Sequence, residues 1–263
     1  MMEEMAISET VLLSIAALAA RRAGEYVLGQ LARRHDAHSA TQADVKHKLD
    51  VEAQAVAMET IRSAFPDHPI LGEESASLPL PDHDYLWIVD PIDGTVNFFH
   101  GSPWWCCSVA VRYRGVARAA AVFAPELGRM FTATALGEAL CNGVPIHVSE
   151  NDELAMAMVS TGSGGFTKGI FDPRYVKVLC EKIQRVRING AAALDLCMVA
   201  AGATEAYFEP NIFHWDMAAG SLIVERAGGT AEILKEYGNY RLTILATNKK
   251  LHHPLRELLV PLL

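Results

Sequence analysis

A chain of 263 residues, 51% hydrophobic and 21% charged, is long enough to bury a large core and too apolar for intrinsic disorder. Its formal net charge of −8 works against non-specific nucleic-acid binding and against docking on an anionic membrane. A small anionic substrate stays admissible, because a bound cation reverses the local field. The five cysteines (Cys106, Cys107, Cys141, Cys180, Cys197) form no C-x-x-C pair and no small-protein disulfide spacing, so free thiols in a reducing cytosol are expected. Residues 11–20 are apolar, but Arg21 and Arg22 stop them short of a spanning helix, and Glu3 and Glu4 precede them where a leader would be basic. A cytoplasmic protein with no membrane and no nucleic-acid partner is expected.

In chain order, Ser8 is placed as the N-cap of a long helix reaching about residue 34, with Leu12, Ile15, Ala16, Ala19 and Ala23 on one stripe. A second amphipathic helix is predicted over 49–65, through Val51, Ala55, Met58 and Ile61, closed by Pro66. The polar stretch 43–50 (ADVKHKLD) between them puts Asp50 at a helix start, where a carboxylate can cap. Residues 69–71 read as a strand running into Gly72-Glu73-Glu74-Ser75. Residues 85–89 (YLWIV) read as a buried strand that ends at Asp90; Pro91 should stop the ladder, and Gly94 permits a tight turn after Asp93. Strands at 105–113, 116–123, 128–133 and 140–144 make an antiparallel meander behind the two helices. Cys106 and Cys107, adjacent on one of these strands, should point to opposite faces.

From about residue 149 the pattern changes. Strands at 155–160, 186–188, 205–208, 230–234 and 243–246 alternate with helices at 174–184, 191–201, 217–227 and 253–259, a layered α/β arrangement. The expected organisation is an α+β N-terminal subdomain, 1–148, with the antiparallel sheet and most candidate metal ligands, and an α/β C-terminal subdomain, 149–263, with the substrate wall and Asp216.

The chemistry gathers on acidic residues. Asp90 and Asp93 stand at the mouth of an apolar strand, with no Lys or Arg between Asp84 and Arg112. Such carboxylates are costly to leave unpaired, and a bound cation is their natural partner; a solvated Asp-Gly turn is the plainer alternative. Glu73, Asp90, Asp93 and Asp216 each end an apolar strand or open a helix. A glycosidase or an aspartic dyad needs two carboxylates. Four or five, with no matched His or Cys set, point to hard cations such as Mg²⁺, and pairs of such ions about 3.5–4 Å apart serve phosphoryl displacement. The amides of Gly94 and Thr95 offer a phosphate cradle. His252 and His253 are expected on the surface of the tail, and His214 to pack or to make a hydrogen bond.

Gly72-Glu73-Glu74-Ser75, the run Trp87-Ile88-Val89-Asp90-Pro91-Ile92-Asp93-Gly94-Thr95-Val96-Asn97-Phe98, and Trp215-Asp216-Met217-Ala218-Ala219-Gly220 with Ala227-Gly228-Gly229 resemble the inositol monophosphatase family in order and spacing, over almost the whole chain. The resemblance implies an α/β fold, the layered αβαβα sandwich shared with sugar-phosphate phosphatases. It implies Mg²⁺ as cofactor, two or three ions with Mn²⁺ as a substitute, held by Glu73, Asp90, Asp93, Asp216 and the carbonyl of Ile92. By the same resemblance Thr95 and Asp50 orient the attacking water, making Thr95, Asp50, Asp93 and Glu73 the catalytic set. Gly94, Thr95, the backbone of Ala192, Glu209 and Asp216 would contact substrate. Family members are typically homodimers, and many are inhibited by Li⁺.

The implied reaction is hydrolysis of a small phosphate monoester, foremost myo-inositol 1-phosphate. The alternatives are fructose 1,6-bisphosphate, histidinol phosphate and 3′-phosphoadenosine 5′-phosphate, and, in another class, a non-catalytic regulatory binding protein. The chain departs from the family where D-x-V-T-x-x-D is usual: His47 takes the Thr position and Ser39 stands near a frequent Lys, so Lys46 or Lys48 would have to supply that charge. Residues 160–168 (STGSGGFTK) are either a specificity wall or a plain loop.

Overall fold

Small side chains set how the first helix packs. α1 (Glu9–Leu28) turns Leu12, Ala16, Ala19, Ala20, Ala23 and Val27 inward, and at Gly24 a Cβ would come within 2.6 Å of the Phe123 ring. Ser8 holds the N-cap position, but its hydroxyl caps nothing; its carbonyl accepts from the Val11 and Leu12 amides. The helix stops at Leu28 rather than near residue 34. Gly29 closes it, and a single 3₁₀ turn, Leu31–Arg33, redirects the chain so that both Nη atoms of Arg33 bond Glu52 at 2.8 Å. The computed structural model describes residues 7–40, 45–75, 83–162 and 173–263.

A two-stranded ribbon, β1 (Ala37–Ala40) against β2 (Val45–His47), leads into α2 (Lys48–Ala64). β3 (Ile70–Gly72) pairs parallel with β4 (Tyr85–Asp93). α3 (Thr95–His100) then turns the chain into β5 (Cys106–Tyr113). β6 (Val116–Ala124), β7 (Arg129–Thr134), β8 (Leu140–Cys141) and β9 (Val144–Pro145) continue antiparallel, completing a seven-stranded sheet in sequence order. The predicted strand at 140–144 is thus a pair of two-residue strands around the positive-φ Asn142-Gly143 turn.

The second sheet orders its five strands β11-β10-β12-β14-β13. Its parts are β10 (Met158–Thr161), α4 (Arg174–Lys182), β11 (Arg185–Arg187), α5 (Ala192–Ala200), β12 (Ala206–Phe213), α6 (His214–Arg226), β13 (Thr230–Gly238), β14 (Arg241–Thr247) and α7 (His252–Leu259). β10 runs parallel to β11 and β12, while β14 is antiparallel to β12 and β13. The expected strand at 155–160 begins later, because Leu154–Met156 forms a 3₁₀ turn.

Three apolar cores fix the layering. One packs α1 and α2 on the first sheet; the second sandwiches α5 and α6 between the two sheets; the third packs α4 and α7 on the outer face of the second sheet. The result is the αβαβα sandwich that the family resemblance implied. Cys106 lies in the middle core and Cys107 in the outer one, on opposite faces of β5. No described helix is long and apolar enough to cross a membrane.

Candidate active site

The corner is built where β4 fails to end. Pro91 was expected to stop the ladder after Asp90, yet the strand continues to Asp93 through a bulge: Asp90 faces Ser108 and Asp93 faces Cys106. The bulge absorbs proline's missing donor and re-aims the carboxylates. Gly94 follows at φ 93°, in the left-handed region. A Cβ there would lie 3.0 Å from the Trp104 carbonyl and 3.1 Å from the Ala191 Cβ, so glycine is required by conformation and by space.

Glu73 reaches the corner from the 3₁₀ turn after β3. That turn is clamped by Gln54 of α2, which accepts from the Glu74 amide at 2.9 Å and donates to the Ser75 hydroxyl at 3.1 Å. Asp50 lies one turn earlier on the same buried face of α2. Asp216 comes from the other end of the chain, in the first turn of α6, where one oxygen accepts the Phe213 amide at 2.8 Å. Asp93 caps α5 from outside, accepting the Ala192 amide at 3.0 Å and the Ala193 amide at 2.7 Å. The structure thus brings Glu73, Asp90, Asp93 and Asp216 into one electrostatic cluster, with Asp50 acting on Glu73.

Burial and like charge raise the pKa values of Glu73, Asp90, Asp93 and Asp216. Glu73 is pushed well above the usual carboxylate range by burial, then by Asp216 and Asp50. Asp90 is pushed up by burial, then by Glu73, Asp93 and Asp216. Burial raises Asp93 to about 7 and Asp216 to about 8. Glu73 and Asp90 lie close enough to interact directly, and Glu73 raises Asp90. No three Asp, Glu, His or Cys side chains among the described residues are closed into a metal-ligating group.

The donor set nevertheless fits a hard cation. Every candidate is an oxygen, Asp90 Oδ1 is buried without a hydrogen-bond partner, and no Lys or Arg among the described residues forms an ion pair with Glu73, Asp90, Asp93 or Asp216. A divalent ion held by these oxygens would relieve both the repulsion and the orphaned oxygen.

Other expected residues fall as follows. The Thr95 hydroxyl donates to the Ile92 carbonyl at 3.0 Å, so those two atoms engage each other here. The Ala192 backbone, expected against substrate, gives its N–H to Asp93. Glu209, on β12, accepts from the Tyr207 hydroxyl, and a Cβ at Gly162 would overlap its carboxylate. Lys48, a candidate for the missing family charge, pairs with Asp36 at 2.6 Å; the side chains of Ser39, Lys46 and His47, and residues 163–168, lie outside those described. His214 accepts from Arg112 at 3.2 Å, and burial lowers it to about 4. His252 is not simply tail surface: its ring bonds Thr247 and Glu232.

Sequence reading passed over Gln54, Asn189 and Asp195. Each had a signal: a polar residue on a buried helical stripe, an Asn before a glycine turn, and one acid inside the otherwise small and apolar AAALDLCMVAA.

The chain is 38% identical over 265 residues to "Phosphatase IMPL1, chloroplastic" of Arabidopsis thaliana, covering 97% of this chain and 71% of that protein. It is 36% identical over 250 residues to "Nus factor SuhB" of Escherichia coli K12, covering 91% and 92%. The solved inositol monophosphatase of Anabaena (Nostoc) sp. PCC 7120 superposes with a TM-score of 0.84 at 34% identity, over 96% of each chain. Residues 8–259, from the N-cap of α1 to the last turn of α7, match the Inositol monophosphatase family, and the chain belongs to this family of generally Mg²⁺-dependent phosphatases.

Proposed function

We propose that the protein hydrolyses a small phosphate monoester, foremost myo-inositol 1-phosphate, at the corner between β4, α5 and α6. The observation that supports this most is the gathering of Glu73, Asp90, Asp93 and Asp216, two buried and two half-buried carboxylates from three distant stretches, with no ion-pair partner among the described residues. These side chains and the Ile92 carbonyl would hold two or three Mg²⁺ ions, which would supply a nucleophilic water at neutral pH and offset the charge on the leaving oxygen.

The chain's own groups do the rest. The Gly94 and Thr95 amides, at the start of α3, hold the phosphoryl oxygens. The Thr95 hydroxyl turns from Ile92 toward Asp50 and orients the attacking water. Asp93, fixed by two α5 amides, keeps one geometry through the reaction. Glu209, beside Tyr207, faces the alcohol portion of the ester; its charge suits hydroxyls better than a second phosphate, which ranks inositol phosphate above fructose 1,6-bisphosphate. Histidinol phosphate and 3′-phosphoadenosine 5′-phosphate remain rivals on the same metal site. The proposal includes a homodimer and inhibition by Li⁺.

A panel of these esters, assayed for phosphate release with Mg²⁺ and with a chelator, tests the reading. Release from myo-inositol 1-phosphate, lost on chelation, is expected. A second reading, a regulatory binding protein, is favoured by the name "Nus factor SuhB" carried by the Escherichia coli relative. Measurable Mg²⁺ binding with no release from any ester would overturn the first reading in favour of the second.

A further inference from the structure

One buried acid has no part in the chemistry above. Asp195 is 1% exposed and sits among the small and apolar side chains of α5. Burying a carboxylate there is costly without a bonded partner. Its partner is specific: Asp195 Oδ1 accepts from Asn189 Nδ2 at 2.7 Å. Asn189 in turn offers its carbonyl to Asn97 Nδ2 at 2.7 Å, and the same amide group of Asn97 donates to the Trp104 carbonyl at 2.8 Å. A continuous hydrogen-bonded path therefore runs from inside α5, through the loop before it, to the first turn of α3.

Sterics tighten the same junction. Gly190 has φ 82°, and a Cβ there would come within 3.3 Å of Asn97 Nδ2. A Cβ on Gly94 would stand 3.3 Å from the Gly190 carbonyl. The loop 189–191 is thus held at both ends by acids: Asp195 grips Asn189, and Asp93 grips the amides of Ala192 and Ala193. Movement of the loop would shift the Asp93–Thr95 turn with it.

We propose that Asp195 is a positioning residue: through Asn189 and Asn97 it locks the loop before α5 against the Gly94–Thr95 turn and so sets the direction of the amides that receive phosphate. The catalytic consequence rests on the phosphatase reading; the mechanical coupling does not. An acid placed only to favour a helix N-terminus would act through its charge, whereas this role needs an acceptor oxygen and tolerates its neutral isostere.

The test compares Asp195→Ala, Asp195→Asn, Asn189→Ala and the double variant Asp195→Ala/Asn189→Ala in the full chain. Asp195→Ala and Asn189→Ala should each lower kcat about tenfold to a hundredfold, the scale of small misplacements in a site, with KM moving much less. The double variant should be no worse than the poorer single variant, and Asp195→Asn should stay within about threefold of the parent. Multiplying losses in the double variant, or an Asp195→Asn as impaired as Asp195→Ala, would overturn the proposal.

Amide exchange gives a readout that needs no turnover. The Ala192 and Ala193 amides should exchange faster in Asp195→Ala and Asn189→Ala but not in Asp195→Asn. Unchanged exchange in both alanine variants would refute the coupling. The expected exchange pattern in a protein that hydrolyses no ester would leave the coupling intact and reject only the phosphatase reading. Should Asp195→Ala fail to fold, the half-buried Asn189→Ala carries the comparison.

Discussion

Asp93 carries two duties that pull in one direction. Its oxygens cap α5 through the Ala192 and Ala193 amides, and its remaining lone pairs face the acidic corner. Asp93→Asn keeps one acceptor for the helix but removes the negative charge that a cation needs. Turnover with Mg²⁺ should fall about 1,000-fold, equivalent to about 4 kcal/mol in the barrier. The thermal midpoint should drop only by the loss of one cap bond, about 1 kcal/mol. A steady-state assay beside a melting curve separates the two, and near-normal Mg²⁺-dependent activity would contradict the assignment. The acids of this corner were legible in the sequence because each interrupts an apolar run. Asn189 and Asp195 were not, because a single acid in a helix and an Asn in a loop become informative only when the fold sets them 2.7 Å apart.

At the scale of elements, the corner depends on how closely α5 and α6 approach. α6 carries Asp216 and α5 carries the amides that hold Asp93. Between them lies Gly220, where an added Cβ would meet the Leu196 Cβ at 2.5 Å and Cδ1 at 2.6 Å. A Cβ cannot swing away as a flexible side-chain end can, so the helices must part. Gly220→Ala should destabilise the protein by about 1–3 kcal/mol, the usual cost of overpacking, read as a lower denaturant midpoint at unchanged slope. Because parting these helices moves Asp216 relative to Asp93, the variant should also bind Mg²⁺ more weakly; unchanged metal affinity would show that the corner does not depend on this contact. The two helices themselves were readable from their small and apolar residues. The run of β4 past Pro91 was not, since a bulge depends on the partner strand's register, with Ser108 opposite Asp90 and Cys106 opposite Asp93, and register is absent from local sequence.

For the whole molecule, the acidic corner links distant parts of the chain at an electrostatic cost. Asp93 and Asp216 titrate near 7 and near 8 in the folded protein, raised first by burial, against an ordinary value near 4 in an unfolded chain. A carboxylate raised on folding favours the folded state while it is protonated. Its contribution is complete below the unfolded value and is lost as pH rises through the folded value. Glu73, raised by burial and then by Asp216 and Asp50, and Asp90, raised by burial and then by Glu73, act with the same sign. Metal-free protein should therefore melt progressively lower as pH is raised from about 4 to about 8. Mg²⁺ displaces the protons and reverses the penalty, so its stabilisation should be small at pH 5 and large at pH 8, reaching about 2.7 kcal/mol at a hundredfold excess over the dissociation constant. Melting curves at both pH values, with Mg²⁺ and with a chelator, measure this directly. A metal-free protein whose midpoint rises across that range, or a Mg²⁺ effect that shrinks with pH, would mean that the four acids do not share one site.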